Sequence, residues 1–264
     1  MGKYLEVGKV SMKAQMTYRF DVYIGSVLPF VRVFLAYALW KVLYTGKTEI
    51  GGMSFGMMVT YYIICAFIQR LDQSVGLVWD TAGEIREGRF SKYMVRPISP
   101  LGHFMSVSLA RSLYILVVTL FTVGILALVF QNNFVMPSSL INLACATITG
   151  LLGLIFLALL NYLTALLAFK FNDVTGWHLL KSNVVEFLTG TMIPLSLLPA
   201  GIQNGMHFFP FYYIHYISAS LYLGLRTNEF IPGIITLLIW IVALWGLAEY
   251  AYRRFRRIYE GVGI

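Results

Sequence analysis

The sequence predicts an all-α integral membrane protein. Six transmembrane helices are expected, with an N-terminal amphipathic interfacial helix, a helical cytosolic loop between spans two and three, and short re-entrant helices between spans five and six. Three observations predict this class. Of 264 residues, 58% are hydrophobic and 12% charged, whereas an ordinary soluble domain has about a quarter charged. Six apolar segments, 22–44, 55–75, 106–130, 139–169, 178–199 and 231–252, lie near or above the roughly 20 residues that a helix needs to cross hydrocarbon. Lys and Arg are concentrated in alternate connections between those segments.

Taken in order, residues 1–20 are too polar to span but have helical order. At about 100° per residue Glu6, Lys9 and Lys13 fall together, and Tyr4, Val7, Ala14 and Tyr18 gather opposite. Such a helix lies along a membrane surface with its apolar face down; a short cytosolic tail is the other reading. The stretch lacks the unbroken apolar core of a signal peptide, so insertion is expected to begin with the first span. The fourth segment contains no Asp, Glu, Lys or Arg. The second is weaker, because Gln69, Arg70, Asp72 and Gln73 follow its apolar part.

Orientation follows from the cations. One side collects Lys3, Lys9, Lys13 and Arg19, then Arg86, Arg89, Lys92 and Arg96, then Lys170 and Lys181, and finally Arg253, Arg254, Arg256 and Arg257. The other side holds Lys41 or Lys47 and Arg226. Both termini and the 83–100 loop are therefore expected in the cytosol. The net charge of +8 is explained by topology, so no nucleic-acid partner is implied. Pro194, Pro199 and Pro210 interrupt the stretch 189–224, and the apolar run 208–223 after the fifth span is too short to cross and return. Residues 197–228 therefore read as an extracytoplasmic re-entrant segment, whose non-helical backbone must be sheltered by protein. No repeat or linker divides residues 1–264, and a single transmembrane domain is expected.

No catalytic or metal-binding constellation is evident: the four His are not at ligand spacing, Cys65 and Cys145 sit in apolar segments, and no Gly-rich Lys-Ser/Thr phosphate loop is present. No cofactor is expected on this chain. Ionisable residues inside a membrane are costly and are functional candidates. Arg32 lies roughly 16 Å into the first segment and Glu186 roughly 12 Å into the fifth, at about 1.5 Å per residue. They can pair, within one subunit or across a dimer; alternatively Arg32 snorkels or faces a polar cavity. Pro29, three residues before Arg32, is expected to bend the helix beside the charge. Asp72 and Arg111 are placed to clasp the second and third spans beneath the membrane.

The charged island GEIREGRFSKYMVRPISP, residues 83–100, carries Glu84, Arg86, Glu87, Arg89, Lys92 and Arg96 between two apolar segments. Residues 79–87 can form a short helix that Gly88 ends. Phe90, Tyr93, Met94 and Val95 then form an apolar set before Arg96-Pro97, where proline disfavours helix in the preceding residue. Mixed charge with exposed aromatic rings suits a protein groove; an amphipathic loop resting on headgroups is the alternative.

The EIREGRFSKYMVRPIS run, the six segments, the amphipathic start, and GTMIPLSLLPAGI leading to FFPFYY resemble the type-2 ABC exporter permeases, and more narrowly their short bacterial members. The resemblance covers the whole chain. It implies that the loop at residues 79–100 is a coupling helix seated in a cleft of a separate cytosolic ABC ATPase, with Glu84, Ile85, Arg86, Glu87, Gly88, Arg89, Phe90, Tyr93 and Arg96 at the contact. ATP and Mg would then be bound by that partner. It also implies a connecting helix at the N-terminus, a bacterial cytoplasmic (inner) membrane location, and a second permease copy or homologue meeting this chain through the first and fifth spans. Arg32, Glu186 and Pro29 would lie near that interface or the substrate route. A secondary transporter driven by an ion gradient is the alternative; it predicts inverted repeats, and the Pro-rich break has no counterpart in the first half.

Overall fold

The computed structural model describes residues 2–17, 25, 27–95 and 98–257. The first part of the expected first span, Tyr18, Arg19 and Arg96 lie outside the described residues. Helix α1 spans Gly2–Thr17 and α2 spans Leu28–Leu43. A small hairpin, β1 (Glu49–Ile50) and β2 (Met53–Ser54), leads into α3 (Phe55–Leu71). Then come α4 (Ser74–Arg86), a 3-10 turn at Arg89–Ser91, α5 (Lys92–Val95), α6 (Pro100–Val129) and α7 (Leu140–Leu166). Helix α8 spans Thr175–Leu188 and α9 spans Ala200–Met206. A π-helical turn at Tyr213–Ile217 runs into α10 (Ser218–Tyr222), and α11 spans Phe230–Phe255.

Serine starts three of the long helices. Ser54, Ser99 and Ser139 each sit in extended backbone and accept a hydrogen bond from the N–H three residues on, meeting one of the amides that a helix start leaves unpaired. Pro100 follows Ser99 in the first turn of α6, where a missing N–H costs no hydrogen bond. That signal extends α6 six residues before the expected start. The hairpin is the one departure from an all-α chain among the described residues. Gly51 and Gly52 supply the two positive φ angles, 60° and 76°, that a two-residue turn requires.

Helix α7 is the central post. It packs against α4, α11, the π turn and α10, and its glycines allow close approach: a Cβ on Gly153 would stand 2.8 Å from Ile214 Cγ2 and 3.2 Å from its Cα. Helix α3 packs against α2 and α6, and α1 lies along α6. The half-buried stripe of α1 is Tyr4, Val7, Gly8, Ser11, Met12 and Gln15. Tyr4 lies against Gly102 and Gly8 against Ser106 and Ala110, so the two helices run in the same direction. Tyr4 and Val7 are on the expected face; Ala14 is exposed.

Among the described residues three helical stretches are long and apolar enough to cross a membrane, Pro100–Val129, Leu140–Phe169 and Thr227–Phe255. Within the described residues α2 and α3, at 16 and 17 residues, account for about 24–26 Å, against the roughly 30 Å core. The fifth expected span is not one helix over 178–199. It ends at Leu188 because Gly190 turns left-handed (φ 80°) and Pro194 follows. Tyr61 and Tyr62 hold the non-helical continuation, donating to the Gly190 carbonyl at 2.7 Å and the Met192 carbonyl at 3.0 Å. The second expected span also breaks, at Asp72-Gln73, and the chain resumes as α4.

Candidate functional site

Two regions hold the residues singled out in the sequence: the charged island and a polar cavity. In the island, α4 begins at Ser74, earlier than expected, and ends where Gly88 adopts a φ of 76°. A residue with a Cβ is strained in that conformation. Glu84 binds Lys92 across the turn, and Glu87 binds Arg89. Arg86, Glu87 and Arg89 are exposed, and Glu84 is half-buried.

The apolar residues of the island turn inward. Ile85 is buried, and Phe90 is 1% exposed, against the expectation of an exposed aromatic at this position. The reason is the reversal at Gly88, which points Phe90 back into the ends of the long helices. Its ring meets Phe169 after α7 at 5.2 Å, Tyr252 of α11 at 6.2 Å and Tyr93 at 4.9 Å. Tyr93 packs on His103 of α6 at 5.1 Å, and Arg86 donates to the Asn172 carbonyl just before α8 at 3.4 Å. The Ser99 N–H donates to the Tyr4 hydroxyl at 3.3 Å. Contacts from the Ser99 side chain and backbone hold the Tyr4 phenol below its usual range. The island therefore touches the ends of α6, α7, α8 and α11, and α1 is tied to its far end.

The cavity, of about 280 Å³, lies between α2, α3, α7 and α8 and is lined by Pro29, Arg32 and Glu186 together. Arg32 Nη1 is 3.6 Å from Glu186 Oε1 and donates to Gln69 Oε1 at 3.0 Å. The two charges that depth arithmetic matched therefore meet within one chain. Pro29 occupies the first turn of α2, where its missing N–H costs no hydrogen bond.

The expected Asp72–Arg111 clasp is replaced by two separate sets of contacts. Arg111 donates to Asp80 of α4 at 3.1 Å. Asp72 closes an Asx turn, accepting from the Ser74 N–H at 3.1 Å and from its hydroxyl. Asn161 Nδ2 donates to Ser74 Oγ at 2.7 Å and to Asp72 Oδ2 at 3.4 Å, and its carbonyl oxygen accepts from Lys181. Lys181, counted in the sequence among the cytosolic cations, turns into the cavity. This network was not visible in the sequence: Asn161 lies in an otherwise apolar run, and only its polarity there was a signal. Beside it, His178 is buried, with Ser182 at 3.3 Å and the Trp79 ring at 5.0 Å.

With the fold and both regions in view, the class is that of a helical membrane transport subunit. Residues 30–263 match the family model described as ABC-2 family transporter protein, and the chain belongs to that family of ABC transporter membrane proteins. These permeases typically lack an ATPase site of their own and work with a partner ATPase. No curated protein and no solved structure matches the chain. Helix α1 lies outside the matched residues.

Proposed function

We infer that this chain is the permease subunit of an ATP-driven exporter, that it acts as a dimer enclosing the substrate route, and that a separate ATPase drives it through the 79–100 loop. The observation that carries this reading is the position of Phe90. It is buried beneath an exposed rim of Arg86, Glu87 and Arg89 and touches residues at the ends of α7 and α11. A push on the rim reaches several long helices at once, because closely packed interiors transmit displacement.

In this reading six segments cross the membrane, both termini and the loop face the cytosol, and 197–228 re-enter from the opposite side. Helix α8 and α2 present exposed apolar faces, including Leu180, Val184 and Phe187 on α8 and Phe34, Leu35 and Leu39 on α2. A second permease covers them. ATP drives transport because it favours one arrangement of the loops over the other. Purification from native membranes tests the assignment: an ATPase that co-purifies with the chain supports it, and transport by the chain alone supports an ion-driven transporter instead.

A further inference from the structure

Lys181 lines the cavity from α8 and is half-buried, at a depth in the chain's apolar segments where a charge is costly and marks a functional candidate. An ammonium carries three N–H donors and no acceptor. Among the described residues Lys181 gives one of them to the neutral Asn161 carbonyl oxygen, and no carboxylate stands within ion-pair distance of its Nζ. Asp72, held by the other end of the same amide, is taken up by neutral donors: the Ser74 N–H, the Ser74 hydroxyl and Asn161 Nδ2. A charge placed like that of Lys181 gains most from a partner of opposite sign that brings its own acceptors. Arg32 lines the same cavity from α2. Its contacts with Gln69 and Glu186 both run through Nη1, so among the described residues the Nε and Nη2 donors are unengaged. Arg70 also lines the cavity, but it has contacts of its own and is no part of this site.

Two cations with unengaged N–H groups fit an oxyanion, whose several oxygens accept hydrogen bonds and whose charge opposes theirs. A cationic head would meet two like charges, and a neutral one would leave Lys181 without a countercharge. Size agrees with a small group. At about 30 Å³ per water, 280 Å³ holds about nine waters, room for a phosphate or carboxylate with part of its hydration. Leu28 and Val75 line the cavity and are exposed, giving an attached alkyl chain an apolar exit.

We propose that this cavity binds an oxyanion, of the phosphate or carboxylate kind, on Lys181 with Arg32 as the second donor. That the bound molecule is a transport substrate rests on the proposed function; the binding itself does not. The test uses the purified full-length chain without an ATPase, in nanodiscs of digalactosyl diacylglycerol, a bilayer lipid that carries no phosphate. The chain is labelled by a diazirine-bearing alkyl phosphate and mapped by peptide mass spectrometry. Labelling of the α8 peptide that carries Lys181 should saturate. Unlabelled alkyl phosphate should displace it about tenfold more readily than alkyl glucoside or alkyl trimethylammonium of equal chain length, the difference made by one charge-assisted hydrogen bond. Both sources of the anion support the site, and inorganic phosphate separates them. Displacement by it as readily as by alkyl phosphate makes the free anion the ligand, and displacement by alkyl phosphate alone makes the ligand an amphipath. Lys181→Gln keeps a donor for Asn161 but removes the charge, and should weaken labelling about tenfold. Labelling that never saturates, labelling unchanged in Lys181→Gln, or displacement by the glucoside or the trimethylammonium as readily as by the phosphate overturns the proposal. The competition series on the unaltered chain decides the matter even where Lys181→Gln does not fold. Because no ATPase is present, failure here leaves the coupling role of the loop untouched.

Discussion

Arg32 and Glu186 stand 3.6 Å apart at the cavity, and the same guanidinium donates to Gln69, so one side chain joins α2, α3 and α8. The Arg32 side chain is 62% exposed, which limits what the pair contributes within a lone chain. A double-mutant cycle with Arg32→Gln and Glu186→Gln, read by thermal unfolding of the purified protein, should give a coupling of about 0.5–1 kcal/mol. Strictly additive effects would remove the pair from the account.

Asn161 holds a carboxylate on one side and an ammonium on the other. Asn161→Leu keeps most of the volume but leaves Asp72 and Lys181 short of hydrogen bonds inside the protein. It should destabilise by about 2–3 kcal/mol, the range for lost bonds to charged groups. Unchanged thermal unfolding would show that the two charges find other partners.

Gly88 and Gly83 lie five positions apart in the island and should respond oppositely to alanine. Gly88 sits at a φ of 76°, so Gly88→Ala should cost about 1–2 kcal/mol. Gly83 is helical with nothing within 4 Å of an added Cβ, so Gly83→Ala should gain up to about 1 kcal/mol. Comparing the two unfolding midpoints tests where α4 ends.

Gly153 is where α7 meets the π turn. A methyl there meets the backbone and side chain of Ile214, so Gly153→Ala should cost about 1–3 kcal/mol. Gly124→Ala, in open space on α6, should be neutral or stabilising. Equal unfolding midpoints would argue against the tight α7–Ile214 contact.

Much of this was legible in the sequence because it is encoded locally. The end of α4 follows from Gly88, and the meeting of Arg32 with Glu186 follows from matched depth and opposite charge. What was missed depends on direction and partner. A run of Phe90, Tyr93 and Val95 shows that apolar residues are present, but only the reversal at Gly88 decides that Phe90 faces inward. Asp72 had an acceptable partner in Arg111 until the helix break turned it toward Ser74 and Asn161. The early end of α8 combines a positive φ at Gly190 with tyrosines from α3, more than 120 residues away in the chain.

The claim that the loop receives the stroke of a separate ATPase is tested most directly by ATPase activity of the assembled complex in nanodiscs, with Glu84→Lys and Glu87→Lys compared with the unaltered chain. Glu87 is exposed and Glu84 is half-buried against Lys92. Reversal at either should abolish the activity that the permease stimulates, with membrane insertion of the variants unchanged, since charge reversal opposes a complementary surface. Unaltered stimulation in both variants would contradict the docking role.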